Sequence, residues 1–315
     1  RIGIGPIRKD GSAPGSSQHR MYLDNVVVKV ISYETIKVEL AKPVITSALG
    51  SETEITVKWN AVENASGYVL EYKESSENNY TAIELGNVLE HTIKNLKATT
   101  SYQVRLKAVE SMSQSESEYS DVAEVATVAK ATFPMVANNA DEFIAILANG
   151  GIRTASPTDE IQIKGNLDFA GKTLPAEAVF PGVLVGNNAV LSNINSDHAL
   201  FALVGSAKDL TIDESCSFNA TAVAPLAALA GEANGAITNV VNKANVALTL
   251  TAEANNTVTV AGIVAIANGA LENCKNYGAV SYTNTAASYG GLIAGVAAYG
   301  NGALTKCENH GKVTL

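Results

Sequence analysis

The sequence predicts an all-β chain of more than one domain: a sandwich of short strands, then a right-handed parallel β-solenoid with a capping helix at its N-terminal end. Three observations predict this. First, one stretch is written three times, as Ala-Gly-Glu-Ala-Asn-Gly-Ala-Ile from Ala230, Ala-Ile-Ala-Asn-Gly-Ala-Leu from Ala265 and Ala-Tyr-Gly-Asn-Gly-Ala-Leu from Ala298. The Asn-Gly-Ala triplets begin at Asn234, Asn268 and Asn301, giving periods of 34 and 33 residues, the range of repeat architectures. Second, Ile55, Val57 and Trp59, then Tyr68, Leu70 and Tyr72, then Tyr102, Val104, Leu106 and Ala108 each alternate with more polar residues, as half-buried strands require. Third, of the 315 residues 46% are apolar but only 17% charged, a balance that suits small-residue β structure with tight turns.

The elements follow in chain order. Residues 1–40 read as the terminal strand or strands of a preceding β-sandwich domain, or as a linker. Gly, Pro and Ser crowd Gly11–Ser17, a loop signal. Met21–Ile31 is rich in β-branched residues and is an expected strand. Its Tyr22-Leu-Asp-Asn-Val26 stretch resembles the closing strand of carbohydrate-binding jelly rolls.

Residues 41–130 read as the sandwich, with polar turn clusters at 63–66, 74–79 and 97–101 between the strands. Pro43, Val57-Lys-Trp59, Gly67-Tyr68 and the run from Leu96 through Tyr102 to Ala108 resemble a fibronectin type III domain. The resemblance implies that Trp59 fills the core between the sheets. It also implies that Tyr102, six residues after Leu96, makes a corner hydrogen bond. Ala98 stands where that family often has Pro or Gly, and no Arg-Gly-Asp occurs, so the integrin-binding version is not implied.

Residues 133–315 read as the solenoid. Ala140–Ala148 is the expected helix, with Phe143, Ile144, Ile146 and Leu147 on one face, Asn138 or Asn139 as N-cap and Gly150-Gly151 as its stop. A helix placed before a repetitive β region covers the open end of a hydrophobic column. Glu160–Gly165 alternates as a strand. Aligned on Asn-Gly, the three coils put Ile237, Leu271 and Leu304 in one column, Val240, Cys274 and Cys307 in a second, and Val246, Val280 and Val313 in a third. Asn242, Asn276 and Asn309 form a polar column able to hydrogen-bond along the axis. The Asn-Gly pairs suit a tight turn with positive φ. A degenerate fourth copy is expected at Ala199–Gly205 and Leu210–Ile212. Gly290-Gly-Leu-Ile-Ala-Gly295, followed by Asn301 through Val313, resembles the GLUG-type repeats of bacterial, Bacteroides-like surface proteins, with Gly290-Gly291 replaced by Leu226-Ala227 in an earlier copy. That resemblance implies an architecture and a cell-surface setting more than an activity.

Composition and spacing then bound the function. A net charge of −9 with no Lys/Arg cluster argues against nucleic acid. The uncharged run Asn276–Thr305 is broken throughout by Asn, Ser, Thr and Gly, so no membrane-spanning helix is expected. Glycoside hydrolysis needs two carboxylates facing one bond. Here Glu272 aligns with Thr238 and Thr305, and Glu308 with Val241 and Lys275, so no catalytic residues are expected. The four His (His19, His91, His198, His310) are scattered, and neither metal nor cofactor is expected. Cys274 and Cys307 share a column and could bond, but buried thiols are the favoured reading because they replace a Val.

Function must lie in what differs between copies. Lys243, Tyr277 and His310 share one aligned position, and Tyr299 lies in the variable stretch before Asn301. Tyr277, Tyr299 and His310 are the ligand-binding candidates, with Tyr282 and Tyr289 as further exposed-turn aromatics. The expected role is a noncatalytic, monomeric segment of a secreted or cell-surface bacterial protein, acting in adhesion or in binding glycan or host polymer. Its signal or lipid anchor would lie outside this fragment. The alternatives are an accessory region of a larger carbohydrate-active enzyme and an active β-helix lyase or hydrolase.

Overall fold

The computed structural model describes residues 39–110, 115–176, 178–251, 258–285 and 291–315. The strand expected at Met21–Ile31 and the rest of the 1–38 segment lie outside them.

The sandwich forms as its alternation dictates. Ile45–Gly50, Ile55–Trp59 and Glu90–Ile93 make a three-stranded antiparallel sheet. Gly67–Glu74, Thr81–Leu85, Ser101–Glu110, Ser115–Glu116 and Ala123–Ala126 make the facing sheet. The alternating residues of both sheets point inward, so Ile55, Val57, Trp59, Tyr68, Leu70, Val104, Leu106 and Ala108 fill one core. Trp59 meets Tyr68 edge-on, with ring centroids 5.4 Å apart, the preferred geometry for an aromatic pair. The corner bond is present: the Lys97 backbone N–H donates to the Tyr102 hydroxyl at 3.0 Å.

The helix Ala140–Ala148 begins at Asn139, whose side chain accepts from the Glu142 N–H. The Glu142 carboxylate reaches back to the Asn138 N–H at 2.9 Å, so two N-terminal donors are satisfied reciprocally, as in a capping box. Of the expected apolar face, Phe143 and Leu147 are buried and Ile144 and Ile146 pack partly buried against the same core. The α-helix ends at Ala148, with Asn149 as its C-cap, just before Gly150-Gly151 as expected. The two glycines then open a separate 3-10 turn, Gly150–Thr154. Gly150 is needed for approach: a Cβ there would run into the Gly50 carbonyl of the sandwich. A backbone bond from Val128 N–H to Ser51 O, at 3.0 Å, holds the chain leaving the sandwich against it.

Beyond the cap the chain winds a parallel β-solenoid of about six turns. One face stacks Met135–Ala137, Glu160–Ile163, Val179–Ser192, Phe201–Ile212, Ala230–Ala233, Val264–Ala267 and Ala297–Gly300, each parallel to the next. A second stacks Asn195–Ser196, Ser217–Ala220, Asn245–Leu250, Val280–Asn284 and Val313–Thr314. Val258–Ala261 and Gly291–Ala294 pair on a third. The aligned columns meet as expected: Ile237 pairs with Leu271 and Leu271 with Leu304, and Val246 pairs with Val280 and Val280 with Val313. The degenerate copy also falls in register, with Leu210 beside Val240 and Ile212 beside Asn242.

The polar column is an amide ladder, buried at Asn242 and Asn276. Asn242 Nδ2 donates to Asn276 Oδ1, and Asn276 Nδ2 to Asn309 Oδ1, both at 2.8 Å. Each amide also donates to its own coil's carbonyl two residues on, at Ala244, Gly278 and Gly311. Gly262 and Gly295 make room for it, since a Cβ at either would strike the side chain of Asn276 or Asn309. That is the physical content of the closing glycine in Gly-Leu-Ile-Ala-Gly295. The Leu226-Ala227 alignment needs correcting: Leu226 pairs with Val260 and Val260 with Ile293, so Leu226-Ala227 replaces Ile293-Ala294.

The Asn-Gly turns also differ from expectation. Asn234, Asn268 and Asn301 do not carry positive φ. Their glycines serve close approach instead: a Cβ at Gly269 or Gly302 would run into the carbonyl of the glycine one coil below. Positive φ falls on Asn239 (54°), Asn273 (52°) and Lys306 (52°). There a second, exposed ladder runs from Asn273 Nδ2 to Asn239 Oδ1 and from Asn239 Nδ2 to Asp209 Oδ1, each at 2.8 Å. Asn tolerates this conformation and Lys does so at a cost. Lys306→Asn should therefore stabilise the chain by about 1 kcal/mol, through relief of backbone strain and a third ladder amide. Urea denaturation checks this, and an unchanged or lowered midpoint refutes it.

Candidate functional site

The inward turn of Asn276 and Asn309 sets the outer surface beside them. Strand alternation sends Lys275 and Tyr277 outward on one coil and Glu308 and His310 outward on the next, because Lys275 pairs with Glu308 and Asn276 with Asn309. The four side chains make a two-by-two plate. Lys275 Nζ lies 3.2 Å from Glu308 Oε2, and His310 Nε2 lies 2.9 Å from the same oxygen. The Tyr277 and His310 rings stack with centroids 4.7 Å apart and planes 8° apart. The His310 hydrogen bond, and then Lys275 by hydrogen bond and charge, hold the Glu308 carboxyl below the usual range. Glu308 is thus an ionised, partnered carboxylate.

Tyr277 and His310 are therefore brought together, and Tyr277 is 47% exposed. One face of its ring is taken by His310. Tyr299 is placed apart from them. It is 61% exposed and lies on Ala297–Gly300, in register with Ile266. Tyr282 is not a surface aromatic: it is 4% exposed, and its hydroxyl accepts from Asn284 Nδ2 at 3.2 Å. Val280–Asn284 turns it into the core between the outward Ser281 and Thr283. Tyr289 lies outside the described residues. Glu272 stands in register between Thr238 and Thr305, and so has no carboxylate on either neighbouring coil at its position.

A second surface feature was not legible in the sequence. Two adjoining cavities of about 410 and 340 Å³ flank the pair Asp197-His198, where the chain turns from Asn195–Ser196 into Phe201–Ile212. The larger has an apolar floor including Phe201 and Leu226. The smaller is bordered by Thr173, Asn195, Ser196 and Asn219. His198 Nδ1 lies 2.8 Å from the Ala199 carbonyl. A carbonyl only accepts, so Nδ1 donates to it and Nε2 is the ring nitrogen left beside Asp197. Asp197 Oδ1 is 3.8 Å from that nitrogen. The pair thus stands between an apolar cavity on one side and a polar, amide-bordered cavity on the other. Periodicity had no means of finding it, because His198 is one of four scattered His and Asp197 lies in no repeat column.

On the sandwich, Arg105 lies between the rings of Tyr80 and Tyr119, 4.0 and 4.1 Å from their centroids. It pairs with Glu71 at 2.7 Å, and Tyr119 donates its hydroxyl to the same carboxylate at 2.7 Å. Burial raises the Glu71 pKa, but the bonds from Tyr119 and Arg105 outweigh it and hold the carboxyl below its usual range. These groups satisfy one another, which makes the cluster a stabilising stack on the outer sheet face.

Residues 43–125 match the fibronectin type III domain family, a common spacer or adhesion module in extracellular proteins. Among solved structures, the chain is similar to the FN1–FN3 domains of chicken CNTN1 at 24% identity and a TM-score of 0.25, over 27% of this chain and 32% of that one. It is also similar to a structure described as a myokine, at 19% identity and a TM-score of 0.26, over 28% of this chain and 97% of that one. The chain thus spans about a third of the first of these. No curated protein matches the chain. Among the described residues, no helix is long and apolar enough to cross a membrane.

Proposed function

We propose that this chain is a noncatalytic segment of a secreted or cell-surface protein, in which the fibronectin type III domain is the spacer and the solenoid binds glycan or host polymer. The observation that carries the reading is the groove at Asp197-His198. Its apolar floor matches the carbon faces of a saccharide, and its acceptors and amides match hydroxyl groups. The plate of Lys275, Tyr277, Glu308 and His310 supports it as a second polar-aromatic surface on the same solenoid. The 33- and 34-residue periods and the glycines at Gly262 and Gly295 support reading the coils as GLUG-type repeats of a bacterial surface protein.

A glycan array probed with the intact chain tests this. Retention of at least one polysaccharide class is expected, weakened at least tenfold by Asp197→Ala combined with His198→Ala and less by Tyr277→Ala. A flat array, or binding indifferent to the groove variants, overturns the reading. Incubation with a polysaccharide panel is expected to release no new reducing ends or unsaturated products, and turnover would overturn the noncatalytic role.

A further inference from the structure

We propose that Cys274 and Cys307 are a disulfide-forming pair that ties together the last two described coils when the chain meets a low-molecular-weight disulfide oxidant of the glutathione class. The stacking places them. Lys275 pairs with Glu308, and the Glu308 N–H donates to the Cys274 carbonyl at 2.9 Å, so Cys307 lies directly over Cys274. Neighbouring strands lie about 4.8 Å apart, inside the Cα separation of about 4.4–6.8 Å that a disulfide spans. Both side chains occupy the inward column above Val240, and both thiols are free. Each donates to carbonyls of its own coil and the coil below: Cys274 to Ile237 and Glu272, Cys307 to Leu271 and Thr305. These are weak sulfur bonds, so forming the disulfide gives up little. Cys216 lies apart, buried and bonded to the Leu191 carbonyl at 3.3 Å.

Accessibility sets the order of events. Cys274 is buried, and burial first, with the neighbouring thiol of Cys307 adding to it, pushes its pKa up to about 11. Cys307 is half-buried and is the first nucleophile. Its thiolate attacks one sulfur of oxidised glutathione and expels one glutathione thiolate, leaving a mixed disulfide. The Cys274 thiol then loses its proton to solvent, and its thiolate displaces the second glutathione. The protein gives up two electrons and two protons, and the oxidant becomes two thiols.

The test is to equilibrate the intact, folded chain with oxidised glutathione, then count thiols and measure mass. Of three thiols, two should be lost, the mass should fall by that of two hydrogen atoms, and digestion should release one peptide pair joining Cys274 to Cys307. Cys216→Ser should behave in the same way. Cys274→Ser should instead retain a glutathione on Cys307, and the conservative exchange at a small site keeps the fold testable by circular dichroism. Three persistent thiols, a stable glutathione adduct on the unsubstituted chain, or a bond that includes Cys216 would each overturn the proposal.

Discussion

Asn276→Ala should destabilise the solenoid by about 3–5 kcal/mol, the sum of several buried polar groups each left short of a partner at about 1–3 kcal/mol. Asn276 is fully buried and makes three ladder bonds: it donates to Gly278 O and Asn309 Oδ1 and accepts from Asn242 Nδ2. Alanine removes all three and leaves Asn242 Nδ2, the Gly278 carbonyl and Asn309 Oδ1 facing the vacated space, each short of its partner. Asn309→Ala should cost less, because Asn309 makes one bond to a neighbouring coil where Asn276 makes two. Chemical denaturation of both variants measures the difference. A cost below about 1 kcal/mol for Asn276→Ala, the net worth of one ordinary hydrogen bond, would mean that the ladder is decorative.

Phe143→Ala should cost about 3–5 kcal/mol, the range for emptying a buried aromatic site. Phe143 is fully buried and meets Phe169 and Phe201 edge-on, at 6.1 and 6.4 Å. Its helix covers the first coils, and a solenoid is held by nearest-neighbour contacts along one axis. The loss should therefore appear first as local opening at the capped end. Hydrogen exchange should lose protection in Glu160–Ile163 and Val179–Ser192 before it does in Val264–Ala267. Ile144→Ala, at a partly buried site, should cost clearly less. Uniform loss of protection along the whole solenoid would show that it unfolds as one cooperative unit.

The two predictions differ in how far the sequence reached them. The Asn276 ladder was readable from the 33- and 34-residue periods, because stacked coils bring equal positions together. The partners of Phe143 were not readable. Phe169 and Phe201 lie in coils that follow no exact repeat, and only the winding of the chain brings them to the helix. The glycines divide in the same way. Their positions in Asn-Gly pairs were visible. That they serve backbone approach, while Asn239 and Asn273 take the positive φ, depends on how each corner is cut.

The candidate site was less legible than the fold. Tyr277 and His310 were found as the variable members of one column, and the structure stacks them. Tyr282 was misplaced because a Tyr among Ser, Thr and Asn reads as a turn residue, whereas strand alternation carries it into the core. Asp197-His198 carried no signal at all.

By itself the sequence determined the two β architectures, the strand faces of the sandwich and the columns of the solenoid. All of these follow from period, and period is a property of order along the chain. The tertiary structure decided which outward groups meet: the Tyr277–His310 stack, its tether to Glu308, the second amide ladder and the groove at Asp197-His198. Those contacts depend on the path of each corner through space. Corners repeat less strictly than the strands between them, because the apolar column that constrains strand residues does not constrain side chains facing water.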